Sequence, residues 1–441
     1  MLKVWAVLLG LVLAGAPAFP ANVAGEWVAT IPAAQGEPQY AHVTLKIAGA
    51  KVTGTWGSST IDGTLAGDKL DKLEANLLDA EGKAAGSFVG TLSGDKVTGT
   101  GTFPSAGRGR AGGMGGGGGA RGGAGGGPVS FTLSRAAMPP AAPRSLKFLP
   151  ENFYAIYSAA NKPALNIFPG DVVHTWTADA GGVDAEGTRH RGGDSNIGPF
   201  YVEGALPGDT LVVHLLKVRT NRATAHQGTR MNAHSVTAAY LVGAKYDPAV
   251  TGDWTLLPEK GIAVPTHPSE HMKHYSVPLR PMLGCISVAP AGDEQFRGGD
   301  LGPYGGNMDY NDNVEGTTLL FPVFHPGALL GMGDGEVTGS ALETSMDVDF
   351  SVEVIQGDSS GMVRAETKDY LVAFGISGSV PESIQIATSQ LAAWIKKQYK
   401  LNDSEVAILF ASTLKYDVTE LVDSQYNVAA KVPKNILATM K

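Results

Sequence analysis

Between Gly305 and Glu343 the chain reads GGNMDYNDNVEGTTLLFPVFHPGALLGMGDGEVTGSALE, and no other stretch limits the fold as much. Glycines cut it into turns and short apolar runs, of which residues 317–324 suit a strand. The same stretch carries Asn307, Asp309, Asp312, Glu315, His325, Asp334, Glu336 and Glu343. A segment that only has to fold rarely gathers so many acids beside so little apolar bulk. Glycine lets the backbone take positive φ and lets a ligand come close. The acids supply hard oxygen ligands or proton acceptors.

The rest of the chain is also mostly β in texture. Residues 210–218, 276–289 and 345–356 read as strands, and SMDVDFSVEVIQ alternates as a half-buried antiparallel strand does. Helical spacing appears late. In 381–399, Ile384, Ala387, Leu391 and Ile395 fall on one face, and Asn402-Asp-Ser-Glu405 forms a capping signal for a second helix over 405–414.

Residues 25–104 predict a small all-β module, a barrel or meander. Short strands at 42–47, 51–56, 63–65, 70–76, 86–92 and 96–103 are separated by Gly-Asp, Gly-Ala and Asp-Gly turns. The arm AGAKVTGTW recurs as SGDKVTGTGTF, and Trp27 and Trp56 are expected at the centre. A glycine tract, 107–127, cannot bury enough apolar surface to offset its chain entropy and reads as a flexible loop. Residues 128–135 then supply one more strand, which places the tract inside the module. The expected division is a signal segment 1–21, the β module 22–137, a proline-rich linker 138–147, and a larger domain 148–441.

Length permits two or three domains with sizeable cores: 441 residues, 43% of them hydrophobic. A net charge of −8 disfavours a nucleic-acid surface. The start has the form of an export signal: Lys3, an apolar run from Val4 to Ala14, then small residues at Gly15, Ala16, Ala18 and Ala21. Cleavage after Ala18 or Ala21 would leave a periplasmic or secreted protein with no integral membrane segment. The lone Cys285 rules out an intrachain disulfide. With no polar partner nearby in sequence, it reads as a small buried strand residue. His267, His271 and His274 have ligand-like spacing, but Pro268 places them in a loop. There is no His-Glu-x-x-His.

Four ordered motifs carry a family resemblance: GPFYVEGALPGDTLVVHLLKV (Gly198–Val218), VPLRPMLGCISVAP (Val277–Pro290), GGNMDY with EGTTLLFPVFHPGALL, and GDGEVTGSALETSMDVDFSVEVI (Gly333–Ile355). With the ending LNDSEVAILFASTLKYDVTELVD, they resemble the acetamidase/formamidase family over most of residues 150–430. The resemblance implies a mainly β fold, here a small N-terminal module plus a β-rich domain with a few C-terminal helices. It also implies frequent oligomers, so a homo-oligomer is expected, and metal-assisted hydrolysis of small linear amides. One departure stands out. The family commonly carries Gly-Asp-Gly-His-x-x-Gln-Gly-Asp-Gly-Glu where this chain keeps one Gly-Asp-Gly-Glu unit, Gly333–Glu336.

The site expectation joins both lines of argument. A divalent metal, zinc or calcium, is held by some of Asp309, Asp334, Glu336 and His325. Glu203, costly in an apolar strand unless paired or functional, takes the proton from water. Asn307 donates to the developing oxyanion. Glu343 reads as a surface acid or ion-pair member. The rival is a non-catalytic protein that binds a ligand or a cell surface and has lost amidase activity with the shortened loop.

Overall fold

A computed structural model describes residues 23–67, 71–104, 127–338 and 342–440. The signal segment and almost all of the glycine tract lie outside the described residues. The chain divides into two compact units. The smaller comprises 23–33, 38–104 and 127–136 of the described residues, and the larger 34–37 and 137–440.

The smaller unit is a closed barrel of eight antiparallel strands, each paired with its neighbours in sequence: Gly25–Ile31, Gln39–Ala48, Lys51–Trp56, Ser59–Ala66, Lys72–Leu78, Ala84–Ser93, Lys96–Thr102 and Val129–Arg135. Closure comes from Val129–Arg135, which pairs with the first strand at Ala29↔Leu133 and with Lys96–Thr102 at Gly99↔Phe131. Strict alternation sends Leu73, Ala75 and Leu77 inward and Glu74 and Asn76 outward. Trp27 and Trp56 are buried as expected, and Trp56 stacks on Phe103 at 4.7 Å and packs against Phe88 and Phe131. Side chains therefore fill the interior. The first strand was not legible in the sequence because GEWVATI has no turn signal before it.

The larger unit is built on two sheets. One has nine strands, with Thr210–Thr220 lying between Thr318–Pro322 and Met346–Ile355. The other has six, in the spatial order Leu165–Ile167, Asn196–Val202, Leu330–Glu336, Met282–Ser287, Gly305–Asn307, Leu301–Gly302. Val213, Phe321 and Phe350 from the first share one apolar core with Phe200, Ile286 and Met332 from the second. The expected linker ends in structure: Ser145–Lys147 is an edge strand, parallel to Val172–Thr177. The expected strand 276–289 is two, Val277–Pro278 and Met282–Ser287, in different sheets.

The helix Val380–Tyr399 begins on the Ser379 cap and buries Ser383, Ala387, Leu391 and Ile395. Ser383 takes the place expected for Ile384. Its hydroxyl donates to the Tyr426 carbonyl at 3.0 Å, and its turn rides over Gly375, where a Cβ would meet the Ser383 carbonyl at 1.9 Å. The helix Asp403–Thr413 starts with the Asn402/Glu405 capping box that the sequence announces. Among the described residues no helix is long and apolar enough to cross a membrane.

Candidate functional site

Antiparallel register assembles the site. Met282–Ser287 lies between Leu330–Glu336 and Gly305–Asn307, with Cys285 opposite both Gly333 and Asn307, and Met282 opposite Glu336. This pairing brings Asn307, Asp309, Asp334 and Glu336 to the two sides of Gly284. A Cβ at Gly284 would stand 2.6 Å from Asp334 Oδ2, 2.7 Å from Asp309 Oδ1 and 3.2 Å from Asn307 Oδ1. Only glycine leaves that space open.

One oxygen from each of Asp309, Asp334 and Glu336 lies within 4.8 Å of the others. The three residues are 4%, 2% and 1% exposed, so their charges are out of reach of bulk water. Asp309 Oδ1, Asp334 Oδ1 and Glu336 Oε2 have no hydrogen-bond partner. Asp309 and Asp334 also hold left-handed backbone, with φ of 43° and 57°. That conformation costs an L-residue roughly 1–2 kcal/mol, less for aspartate than for most. Strain, burial and unpaired carboxylate oxygens at one point mark a place not optimised for stability.

More acids surround the three. Glu343 is hydrogen-bonded to Asp334, and its Oε2 accepts the Ala180 N–H at 3.4 Å. Glu420, 1% exposed, lies against Asp309, and its Oε1 accepts the N–H groups of Val422 and Asp423. Asp423 accepts from Asn307 Nδ2 at 2.8 Å. Asp194 and Asp423 converge on Gly299, where a Cβ would lie 3.1 Å from Asp194 Oδ2 and 3.4 Å from Asp423 Oδ2. The nearby arginines are occupied: Arg222 with Asp179 at 2.5 Å, and Arg297 with Asp300 at 3.1 Å.

Such crowding shows in the proton affinities. Burial, then the charges of Glu336 and Asp334, hold the Asp309 carboxyl well above the usual range. Burial, then Asp334 and Glu420, do the same to Glu336. Burial raises Asp334 to about 6, with hydrogen bonds from Glu343 and Cys285 acting the other way. Burial and then the charges of Asp334 and Asp423 raise Asp194 to about 7. Like charges this close persist with shared protons or with a cation among them. Unpartnered hard oxygens around an open cradle at Gly284 fit a metal ion.

Asn307 belongs to this site, and its Oδ1 accepts from the Cys285 thiol at 3.1 Å. Two expected members do not reach it. Glu203 follows Val202 at the end of the seven-residue strand Asn196–Val202, about 20 Å along from the end paired with Gly333. There its Oε1 accepts from Asn166 Nδ2 at 2.7 Å. His325 is bonded to the Pro290 carbonyl at 2.7 Å, beyond the far end of Met282–Ser287. In both cases the chain runs away from the acids: a strand carries its two ends to opposite sides of a sheet. His267, His271 and His274 are exposed. Glu343, expected at the surface, is drawn in by Asp334. Asp194, Glu420 and Asp423 were missed. Their signal was weak: each is a single acid beside the end of a strand.

Solved structures resemble the chain. A recombinant predicted acetamidase/formamidase from Thermoanaerobacter tengcongensis aligns at 24% identity over 68% of this chain and 99% of its own, with a TM-score of 0.57. The acetamidase of Yersinia enterocolitica gives 21%, 67%, 93% and 0.57 in the same order, and that of Bacillus halodurans 22%, 67%, 99% and 0.56. The chain carries the acetamidase/formamidase fold. No family model and no curated protein matches the sequence. The fold reaches across about two thirds of the chain.

Proposed function

We propose that the chain is an exported amidohydrolase that cleaves the C–N bond of small linear amides with the help of a divalent cation. The observation that carries this reading is the trio Asp309, Asp334 and Glu336: buried, with orphaned oxygens, around Gly284, on a fold shared with acetamidases. The three carboxylates would hold the cation. All-oxygen donors suit calcium better than zinc, which takes nitrogen and sulfur readily. A divalent cation bound there supplies Lewis acidity toward an amide carbonyl or a water.

The other roles fall to residues present at the site. Asn307 Nδ2 has one N–H engaged by Asp423 and a second left for a substrate oxygen. Asp194, with its carboxyl raised to about 7, is suited to take a proton from water and return it to the leaving nitrogen near neutral pH. It replaces Glu203 in that role, because Glu203 is at the wrong end of its strand. Glu343 and Glu420 hold Asp334 and Asp309 in place.

The test is ammonia release from formamide and acetamide by purified, calcium-loaded protein, with metal content measured in parallel. Turnover with bound cation, lost in Asp309→Asn, is the expected result. Cation-loaded protein that releases no ammonia from any simple amide would overturn the reading and leave a binding role.

A further inference from the structure

Cys285 is fully buried in Met282–Ser287, and the proposed chemistry gives it no part. A cysteine that only fills a core packs against carbon. This sulfur also meets oxygens: Asn307 Oδ1 at 3.1 Å, the Tyr157 hydroxyl at 3.2 Å, and the Gly298 carbonyl and Asp334 Oδ2 each at 3.7 Å. The thiol has a single proton to give.

The partners decide where that proton goes. A carbonyl carries no hydrogen, so Tyr157 must donate across its 2.7 Å contact with Gly298. The Asn196 side chain bonds to the same hydroxyl, which leaves Tyr157 supplied on both sides. Asp334 and the Gly298 carbonyl stand farther off. Asn307 Oδ1 is the nearest acceptor, and among the described residues no other hydrogen-bond donor reaches it.

Asn307 is thereby held at both ends of its amide. Nδ2 donates to Asp423 at 2.8 Å, and Oδ1 accepts from the thiol. Turned over, the amide would set its oxygen against the Asp423 carboxylate and its N–H groups against a sulfur that accepts weakly. The bond to Asp423 alone leaves the amide free to swivel about one contact. Oδ1 also lies 3.2 Å from where a Cβ at Gly284 would stand, so the amide borders the cradle shared with Asp309 and Asp334.

We infer that Cys285 is a positioning residue: its thiol fixes the plane of the Asn307 amide, and with it the direction of the N–H left for a substrate oxygen. The consequence for turnover rests on the amidohydrolase reading, whereas the bond itself does not. A donor swung off its line loses much of its value to a developing charge. The cysteine is then kept for its proton as well as for its small volume.

Two measurements test this. Cys285 is the one cysteine of the chain, so in ordinary water and a thiol-free buffer the infrared S–H stretching band belongs to it alone. In the full protein, with or without calcium, Asn307→Ala is expected to move that band to higher frequency, as the nearest acceptor is lost. A band that stays in place shows the proton directed elsewhere and overturns the inference. The second measurement is ammonia release from simple amides by calcium-loaded protein. Cys285→Ala should lower kcat about tenfold with KM changed less than about twofold, and Cys285→Ser, which keeps a donor, should recover most of the loss.

A core filler would instead cost stability in both variants and leave kcat alone. A folded Cys285→Ala with the wild-type kcat, or a Cys285→Ser as slow as Cys285→Ala, overturns the positioning role. If Cys285→Ala fails to fold, the infrared band decides. Turnover with an unmoved band sinks the positioning role and leaves the hydrolase. A shifted band in a protein that releases no ammonia sinks the hydrolase and leaves the thiol as the group that holds Asn307.

Discussion

The barrel and the six-stranded sheet both hold glycine where a side chain would collide with its neighbours, to opposite ends. In the barrel, a Cβ at Gly99 would meet the Val89 carbonyl at 1.9 Å, so glycine there lets adjacent strands coil tightly around Trp27, Trp56 and Phe88. In the sheet, a Cβ at Gly284 would meet the oxygens of two carboxylates and an asparagine. One glycine serves the fold and the other keeps a charged space open. The barrel's interior is apolar and filled. The sheet gathers buried acids whose oxygens lack partners. The first arrangement maximises stability, and the second gives some up at a point where chemistry can occur.

The largest effect should come from the acids. Asp309→Asn is expected to cut amide turnover by about 10³-fold, of the order seen when a transition-state contact is lost. The metal-free variant should unfold at no lower temperature than the metal-free parent, since an ionisable carboxyl buried among other acids has gone. A variant that lost stability and kept turnover would break the contrast between the two regions.

Glycine substitutions come next. Gly99→Ala should destabilise the protein by about 1–3 kcal/mol, as overpacking does. Gly284→Ala should instead abolish saturable calcium binding, measured by calorimetry, with a smaller change in denaturant midpoint. If both variants lose only stability, Gly284 belongs with the barrel glycines.

A pH series sharpens the same point. Asp334 and Asp194 have folded pKa values raised from 3.8 to about 6 and about 7. Groups raised in this way favour the folded state most below their unfolded pKa, and the advantage is lost as pH rises through the folded pKa. Metal-free protein should therefore lose stability between about pH 4 and pH 7. Saturating calcium should reverse the trend by binding the ionised form. Flat unfolding temperatures across that window would contradict the buried-acid account.

The smallest effect is expected at Glu203. Its carboxylate is half-buried and bonded to Asn166, so Glu203→Gln should change kcat/KM by less than about threefold and stability by about 1 kcal/mol or less. A loss as large as that of Asp309→Asn would restore Glu203 to the reaction.

The barrel was almost fully legible in the chain. Its alternation, its turns and the repeated arm act locally, over a few residues, and six expected strands plus residues 128–135 all appear. The capping box at Asn402 and the helix after Ser379 are local in the same sense. Asn307, Asp309, Asp334 and Glu336 were also readable, because acids on glycine turns stand out wherever they fall. Which of the candidates meet was not readable. Cys285 had no polar neighbour in sequence, yet its thiol lies 3.1 Å from Asn307 and 3.7 Å from Asp334. Glu203 and His325 had motifs as persuasive as those of the true neighbours, but strand direction carries them to the other end of the sheet. Asp194, Glu420 and Asp423 gave almost no local signal. Sequence sets the alternation, the caps and the chemical types. The pairing of Met282–Ser287 with two strands distant in the chain decides which acids share a space, because register is fixed by packing across the whole sheet.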